Sequence, residues 1–391
     1  MSAKLGTEVV VVGGGPAGLV AAGLLGCSGV PTVLISPAVG PDTRTTALMQ
    51  GSLKILERIG VWPSLAPKSG ALRKLRILDV SGSIIRAPET TFDAQELGLT
   101  AFGNNIENND LLAALREAIA GFAHLSVLTA KVKAVRSEHD HAMVRLEDGT
   151  DITARLLIGA DGRQSLCRGA AGINAKEWEY PQSALTLNFS HTRPHDNIST
   201  EFHRRGGPLV LVPLPGNRSS MVCVDTPAET DRRRSLDNRA LAREIERLTH
   251  GLLGRITFDG VHGAWPLRGM LAERFAAHRI ALVGEAAHVL PPIGAQGLNL
   301  GIRDAAAIAK LASDAYREQQ DPGSPALLDA YDDGRRSDTR PRKMAIDLLN
   351  RSLIADLLPF DAVRAFGLWA LRSVPPLRRA VMRRGVALSR R

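Results

Sequence analysis

The hydrophobic positions of the chain change period repeatedly, and this alternation predicts the order of its elements. A valine run at residues 9–12 precedes GGGPAG and the apolar stretch 19–25, which predicts a strand, a tight turn and a helix. A second apolar run ends at Ser36, so we expect the chain to open with a β-α-β unit.

Later segments repeat the switch between strand and helix periods. They are, in order, a strand or hairpin at 72–86, a helix at 108–120, the Asp-Gly hairpin VRLEDGT at 144–150, a strand ending at Ile158, period-2 strands within 183–267 with one helix near 236–248, a buried strand from Arg279, and helices from Gln296 to the C-terminus. This order indicates two interleaved sheets.

We therefore predict an α/β protein in which a discontinuous Rossmann-like domain is interleaved with a mainly antiparallel β-sheet substrate domain. The Rossmann-like, nucleotide-binding domain is assigned to residues 1–71, 101–180 and 270–340. The substrate domain is assigned to residues 72–100 and 181–269, and residues 341–391 form a C-terminal helical region with a basic tail.

The 391 residues are 44% hydrophobic, which is enough for a large core. Cys27, Cys167 and Cys223 are far apart and lack C-x-x-C spacing, so neither a disulfide framework nor a metal site is predicted, and a reducing cytoplasm is expected. GGGP interrupts the apolar N-terminus, which argues against a signal peptide or a membrane span there.

The formal net charge of +9 does not predict nucleic-acid binding, because acidic residues are spread along the chain and aromatic content is 4%. The basic excess lies in residues 372–391, which hold seven arginines and no acid. A helix after Pro376 would place Leu377, Val381 and Leu388 on one face among arginines, a pattern typical of a helix on an anionic membrane. A solvated tail is the alternative.

Three segments that follow predicted strands concentrate the candidate chemistry. The first has Gly13, Gly15 and Gly18 in a G-x-G-x-x-G pattern. These glycines permit a tight turn, the approach of a phosphate to the backbone and close packing of the helix, whose N-terminus would direct free N–H groups at a pyrophosphate. A packing turn without a ligand is the alternative.

In the second segment, IGADGRQSLCR, Asp161 and Gly162 lie at the carboxyl edge of the sheet, where ligands of α/β proteins collect. Asp161 can accept a hydrogen bond from a ligand hydroxyl, or it can cap the helix that follows. The sequence alone leaves both roles open.

In the third segment, Glu285 follows a strand and can accept from a ribityl or ribose hydroxyl. Pro291, Pro292, Gly294 and Gly297 then form a rigid loop that enters a helix. The helix dipole would stabilise the negative charge of a reduced flavin. An ordinary Pro-Gly helix start is the alternative.

The segments GGGPAG, IGADGRQSLCR and GEAAHVLPPIGAQGLN resemble those of class A flavoprotein aromatic hydroxylases related to para-hydroxybenzoate hydroxylase, over nearly the whole chain. Residues 42–62, 106–115 and PPIGAQGLNLGIRDA look like the ubiquinone-biosynthesis hydroxylases of the UbiH/UbiF type. The resemblance implies FAD as cofactor and NAD(P)H and O2 as co-substrates. It implies a flavin C4a-hydroperoxide that transfers one oxygen to a phenol ring.

The resemblance also implies roles for individual residues. Pro292 matches the proline whose carbonyl lies near the hydroperoxide, and it is the one residue assigned as catalytic. The cofactor-binding residues that the resemblance implies are Gly13, Gly15, Pro16, Ala17, Gly18, Arg44, Asn108, Asp161, Gly162, Glu285, Gly294, Gln296, Gly297, Leu298 and Asn299.

Two positions depart from the expected pattern. Ser36 ends the second strand where dinucleotide-binding proteins usually carry an acid for the ribose 2′-OH, and Glu285 stands where the family commonly has Asp. A base that removes the phenol proton is also expected. Its candidates by residue type are His191, His203, His262 and His288, among which the sequence does not choose.

Three functions are consistent with these features. The first is hydroxylation of a prenylated phenol in ubiquinone biosynthesis. The second is hydroxylation of a soluble aromatic acid in catabolism, and the third is a non-catalytic flavin-binding assembly subunit. The expected location is cytoplasmic, with the basic tail as a candidate attachment to the cytoplasmic membrane face and with a biosynthetic complex or a homo-oligomer as candidate assemblies.

Overall fold

The computed structural model describes residues 4–38, 40, 42–83, 87–258, 263–291, 295–354 and 358–385, with side chains described outside 345–364 and 384. The strands are β1 (Lys4–Val12), β2 (Thr32–Ser36), β3 (Thr45–Met49), β4 (Gly70–Ala71), β5 (Lys74–Asp79), β6 (Thr90–Asp93), β7 (Gly103–Glu107), β8 (Leu125–Thr129), β9 (Val132–Ser137), β10 (Ala142–Leu146), β11 (Asp151–Gly159), β12 (Ala175–His191), β13 (Ile198–Arg204), β14 (Gly207–Leu214), β15 (Arg218–Asp225), β16 (Ile256–Phe258), β17 (Gly263–Ala272), β18 (Ala276–Ala277), β19 (Ile280–Leu282) and β20 (His288–Val289).

The helices are α1 (Pro16–Cys27), α2 (Gln50–Arg58), α3 (Trp62–Leu65), α4 (Asn108–Ile119), α5 (Leu166–Ala170), α6 (Pro227–Arg234), α7 (Asn238–Leu248), α8 (Gln296–Arg317), α9 (Pro325–Ile354), α10 (Leu358–Ser373) and α11 (Pro375–Gly385). Short 3₁₀ turns occur at Ala66–Lys68, Ala94–Leu97 and Gly284–Ala286.

The first sheet has a parallel centre, in the order β19-β11-β1-β2-β8. Its strand β1 is a run of buried valines because the sheet is covered on both faces, as parallel sheets are. The hairpin of β10 and β11 extends this sheet, with Gly149 at φ +88° in the Asp-Gly turn. The predicted β-α-β unit and the predicted hairpin are therefore confirmed.

The second sheet is mainly antiparallel, in the order β20-β17-β12-β15-β14-β13-β5-β6, with β16 beside β12. One of its faces packs against α7 through a core that includes Phe189, Phe202 and Leu241. Within the described residues, the segment predicted at 72–86 forms the single strand β5, which pairs with β13 and β6 rather than folding back on itself.

The predicted fold class, a Rossmann-like domain with an interleaved β-sheet domain and C-terminal helices, is confirmed. Strand β12 runs through residue 180 without a break, so it crosses one of the predicted domain boundaries. The domain boundaries themselves stay a prediction. Helix α6 was not predicted, because its polar, arginine-rich sequence shows no apolar period; it begins instead at the cap formed by Thr226.

The C-terminal region is helical to residue 385, as predicted, and α11 is docked on the second sheet. Met382 is 7% exposed and packs with Phe92 and Phe102, while the Arg378 guanidinium lies 5.1 Å from the Phe92 ring centroid and pairs with Glu96. A purely solvated tail is therefore wrong for residues 375–385, and Leu388 lies outside the described residues.

Candidate functional site

The turn after β1 is shaped by glycine. Gly13 has φ +116°, and a Cβ there would lie 2.2 Å from the Ala160 carbonyl oxygen, so only glycine fits. A Cβ on Gly18 would lie 2.0 Å from the Gly13 carbonyl oxygen. In front of Gly15, by contrast, no atom of the described residues lies within 4 Å of the Cβ position, and no described side chain caps α1. This open space at a helix N-terminus is what a phosphate requires.

Ser36 lies directly against this turn. A Cβ on Gly14 would come within 1.9 Å of the Ser36 hydroxyl, so the small serine and the glycine fit each other. The Ser36 hydroxyl donates a hydrogen bond of 3.0 Å to the Pro37 carbonyl. The departure from an acidic residue at this position is therefore part of the packing of the glycine turn.

Asp161 follows β11 and caps the next helix. Its Oδ1 accepts from the Ser165 hydroxyl at 2.5 Å and its Oδ2 from the Cys167 N–H at 3.0 Å. The capping role left open by the sequence is thus observed, while contact with a cofactor stays a prediction. Gly162, at φ +78°, has open space at its Cβ position.

The three glycine-containing segments converge at one sheet edge. Val12 pairs with Gly159 and Gly159 with Leu282, so the carboxyl ends of β1, β11 and β19 are aligned. Gly284, at φ +60°, packs on α1, because a Cβ there would lie 3.2 Å from the Ala17 Cβ. Segments nearly three hundred residues apart in sequence therefore border one opening, as an α/β ligand site requires.

Arg44 lies at this opening, between the two sheets. Its guanidinium donates two hydrogen bonds of 2.8 Å to Asp42, and it lies 5.6 Å from the centroid of the Trp265 ring. The hydrogen bonds to Asp42 raise the pKa of Arg44, and the nearby charge of the exposed Glu285 acts in the same direction. Burial opposes ionisation of Asp42, but hydrogen bonds from Arg44 and Asn108 outweigh it and hold the Asp42 pKa below its ordinary value.

Asn108 fixes the segment that carries Arg44. Its Nδ2 donates to Asp42 Oδ2 at 2.8 Å, and its Oδ1 accepts from the Thr46 hydroxyl at 2.6 Å. The side chain is 7% exposed. These contacts give Asn108 a positioning role within the protein, while its approach to a cofactor stays a prediction.

The start of α8 is tied to β3 and α2 by Asn299. Its Oδ1 accepts from the Met49 N–H and the Ser52 hydroxyl, at 2.9 and 2.7 Å, and its Nδ2 donates to the carbonyls of Ala47 and Ala295. The buried Asn299 is therefore a structural joint. It holds the helix N-terminus at the same opening.

The remaining predicted residues that the structure describes occupy the first turns of α8 and α1. Gln296 is the first residue of α8, Gly297 has open space at its Cβ position, and Leu298 packs partly on the core. Pro16 and Ala17 form the first turn of α1. Pro292, Gly294 and the candidate base His262 lie outside the described residues.

Sequence reasoning missed a buried ionic cluster that joins β20, α8 and α9. His288 Nε2 lies 2.7 Å from Asp304 Oδ2, Arg335 Nε donates to Asp304 Oδ1 at 2.6 Å, and the Gly284 N–H donates to Asp304 at 3.1 Å. Burial opposes the charge of Asp304, but His288 and Arg335 outweigh it, so its pKa is lowered. The available signal was an acid within the otherwise apolar face of α8.

The face of the second sheet on the side opposite to α7 is directed toward the opening. Ser220 of β15 accepts a hydrogen bond of 3.0 Å from Asn105 of β7, and Trp265 of β17 meets Arg44. A row of laterally paired residues crosses this side, and we call it the cleft row; it consists of Ile77, Glu201, Val210, Val222 and Thr186. These side chains are half-buried, whereas the chain neighbours of Glu201, Val210, Val222 and Thr186, which point to the opposite side, are buried.

A family model described as FAD binding domain matches residues 6–342. The chain belongs to this family of flavoproteins. Over 98% of its length it is 33% identical to the ubiquinone hydroxylase UbiL of Rhodospirillum rubrum, covering 90% of that protein. It is 30% identical to the 3-demethoxyubiquinol 3-hydroxylase of Escherichia coli, over 98% of this chain and 99% of that one.

Among solved structures, the chain is similar in fold to p-nitrophenol 4-monooxygenase PnpA from Pseudomonas putida, with a TM-score of 0.82, 20% identity and 100% of both chains covered. The predicted membership of the FAD-dependent monooxygenases is thus confirmed. The residues present also fit FAD, because the space in front of Gly15 at the start of α1 is open, as a diphosphate requires, and Arg44 is a cation close enough to Glu285 of the third segment to interact with its charge.

Proposed function

We propose that this flavoprotein hydroxylates the ring of a prenylated phenol in ubiquinone biosynthesis, with NAD(P)H as reductant and O2 as oxidant. The observation that carries the substrate class is the cleft row. Val210, Val222 and Thr186 present methyl groups, and none of the five residues of the row is a cation. A substrate carboxylate would lose its hydration there without a charged partner, whereas an apolar, neutral ring would not.

Bound FAD supplies the activation of O2 and the transfer of oxygen, which no side chain can provide. The protein's own part is to hold and orient. Gly15 and the start of α1 would receive the diphosphate, and Arg44, held by Asp42, would neutralise charge beside it. Glu285 would accept from the ribityl chain, and the start of α8, held by Asn299, would direct its dipole at the flavin ring.

The test is turnover by the FAD-loaded protein with isotope-labelled O2. A prenylated phenol is compared with the same ring without its tail and with 4-hydroxybenzoate. We expect one labelled oxygen in the product of the prenylated phenol and little turnover of the acid. Preference for 4-hydroxybenzoate would support the catabolic alternative, and bound FAD with neither NAD(P)H oxidation nor an oxygenated product would support a non-catalytic subunit.

A cation on the cleft row gives a sharper version of this test. In Val210→Arg, the new guanidinium can pair with a carboxylate and disfavours an apolar ring. We expect the ratio of kcat/KM for prenylated phenol to that for 4-hydroxybenzoate to fall about tenfold or more, the factor that 1.4 kcal/mol represents. An unchanged ratio would remove the cleft row from the substrate site.

We also propose that the C-terminal helices attach the protein to the anionic cytoplasmic face of a membrane. Phe366 and Trp369 of α10 are 67% and 53% exposed, with stacked rings, and Leu377 and Val381 of α11 are each 45% exposed. Arginines surround them, and no acid follows Asp361. An exposed aromatic and aliphatic surface flanked by arginines suits the interface of an anionic bilayer.

The docked position of α11 places this exposed surface beside the second sheet. Met382 packs into a cluster that includes Ile77 of the cleft row, so the same helix borders the cleft and exposes Leu377 and Val381. A prenyl tail would then have a short path from the bilayer to the ring site. None of the described helices is both long and apolar enough to cross a bilayer.

Vesicle sedimentation at low salt tests the attachment. We expect binding to phosphatidylglycerol vesicles and little binding to phosphatidylcholine vesicles. Arg379→Glu should weaken the former by roughly fivefold or more, since each arginine near the surface contributes about 1 kcal/mol. Val127→Ser, at an exposed valine of β8, is the matched control for the apolar variant Leu377→Ser. Equal binding by wild type, Arg379→Glu and Leu377→Ser would refute this attachment.

A further inference from the structure

Glu201 is the charged member of the cleft row, and it is paired with a buried histidine. Glu201 lies between Ile77 and Val210 on neighbouring strands, and its side chain is 22% exposed. Two residues along β13, His203 is 3% exposed and its Nε2 lies 3.0 Å from Glu201 Oε1. The pair occupies the side of β13 that turns to the opening, because Phe202, between them, packs in the opposite core.

The other candidate histidines within the described residues are placed elsewhere. His191 lies on the opposite side of the second sheet, with its ring against Phe189 and its Nε2 3.0 Å from the Ser219 hydroxyl. His288 is enclosed with Asp304 of α8. His203 is thus the described candidate that shares a side with the cleft row, and its buried Nδ1 has no hydrogen-bond partner in the described structure.

An acid on an otherwise apolar wall calls for an explanation, because a carboxylate there loses hydration that the wall does not replace. The contact of His203 with Glu201 Oε1 replaces one of the lost hydrogen bonds. Glu201 Oε2 is left for a partner from the cleft. A phenol hydroxyl is such a partner. It is a single donor on an apolar ring, which matches one acceptor on an apolar wall.

We propose that Glu201 is the base that removes the phenol proton and that His203 is its positioning residue. The phenol O–H bond breaks, its electron pair stays on the oxygen, and the proton moves to Glu201 Oε2. The resulting phenolate makes the ring more electron-rich for oxygen transfer. This assignment rests on the proposed function, since it requires a phenol in the cleft.

The test measures ionisation of a bound phenol without turnover. The probe is 2-prenyl-4-nitrophenol, whose phenolate differs in absorbance from the phenol, bound to the FAD-loaded protein in the absence of NAD(P)H. We expect wild type to bind a smaller phenolate fraction than free probe shows at the same pH, because the Glu201 carboxylate accepts a hydrogen bond from the phenol and repels the phenolate. Glu201→Gln, which keeps the shape but not the base, should raise the fraction. It should also lower the hydroxylation rate about 100-fold or more, the range of general-base catalysis.

Glu201→Asp should show a phenolate fraction below that of Glu201→Gln, because the carboxylate remains. His203→Gln should lower the hydroxylation rate more than it raises KM, since it disturbs the position of the base and not the apolar wall. Glu177→Gln, at an exposed residue of β12, is the matched control and should behave as wild type. Asp79, the neighbour of His203 on β5, is kept unchanged throughout.

The outcomes separate this inference from the proposed function. A wild-type phenolate fraction retained in Glu201→Gln, with FAD content and melting temperature unchanged, would overturn the inference. It would leave the proposed function in place. A wild-type protein that binds neither the probe nor prenylated phenols would refute the proposed function itself. A rise of the phenolate fraction in Glu201→Gln that is reversed in Glu201→Asp, together with a lower hydroxylation rate in Glu201→Gln, would support both.

Discussion

His288 and Asp304 form a hydrogen-bonded pair that is fully enclosed, with Nε2 and Oδ2 2.7 Å apart and both side chains 0% exposed. Asp304 also accepts hydrogen bonds from the Arg335 guanidinium and from the backbone N–H of Gly284. One carboxylate of α8 thus holds together the turn that carries Glu285, the short strand β20 and helix α9. Water cannot replace the hydrogen bond between His288 and Asp304, because neither side chain is exposed to solvent.

We expect Asp304→Asn to lower the free energy of unfolding by about 3 kcal/mol, the low end of the range for a broken buried pair, because it removes one of the two carboxylates that pair with the buried Arg335. Urea unfolding at saturating FAD measures the change. Asp314→Asn is the matched control on the same helix, where Asp314 pairs with Lys310 and Arg317 at the surface. That control should cost less than about 1 kcal/mol. A similar small cost for both variants would contradict the structural role of Asp304.

The same residue predicts a dependence of stability on pH. The pKa of Asp304 is lowered in the folded protein, so its contribution is complete above the ordinary pKa of an aspartate. The contribution is lost as pH falls through the lower, folded-state pKa. We therefore expect the stability difference between wild type and Asp304→Asn to be constant near neutral pH and to shrink in acid. A difference that does not change down to the acid unfolding of wild type would contradict this.

Gly15→Val should abolish FAD binding and leave the fold intact. Its side chain would enter the open space in front of α1, where it meets no protein atom of the described residues and displaces the diphosphate. The absorbance of bound flavin and the circular dichroism spectrum measure the two effects. Gly121→Ala, in the turn after α4, is the control and should keep the yellow colour. Retained flavin in Gly15→Val would show that the diphosphate binds elsewhere.

Arg44→Ala should weaken FAD binding by roughly tenfold or more, because a charge-assisted hydrogen bond contributes about 1.5–3 kcal/mol. Fluorescence titration of the FAD-free protein gives the Kd. Arg145→Ala is the matched control, since Arg145 makes the same two-bond pair with Asp151 at 2.7 Å, remote from the opening. Equal Kd values for wild type and Arg44→Ala would remove Arg44 from the cofactor site.

Asn299→Ala should loosen the joint between α8 and β3. The substitution leaves the Met49 N–H, the Ser52 hydroxyl and two carbonyls without their partner, at about 1–3 kcal/mol for each group that stays buried and unsatisfied. We expect faster hydrogen exchange at Met49 and weaker FAD binding. Asn238→Ala, at the exposed start of α7, should change neither quantity. Protection of the Met49 amide at the wild-type level in Asn299→Ala would contradict the joint.

The sequence predicted what depends on local order. Consecutive buried valines before a glycine turn predict β1 and α1, since a strand covered on both faces must be apolar throughout and a turn at φ +116° must be glycine. The Asp-Gly turn before β11 and the helix from Gln296 follow from equally local chemistry. The flavoprotein family follows from three such segments in one chain.

The tertiary structure decided what depends on which face a residue occupies and on what lies opposite. Residue type left four histidines equivalent, and only the pairing of β13 with β14 placed His203 and Glu201 on the side of the cleft row. Asp161 could bind or cap, and the position of α5 showed that it accepts the Cys167 N–H at the start of that helix, while its contact with a cofactor stays a prediction. Asp304, Asn299 and Trp265 have their roles because they contact residues that are distant in the sequence. The packing of side chains between sheets brings these residues together, and no local pattern in the sequence encodes that packing.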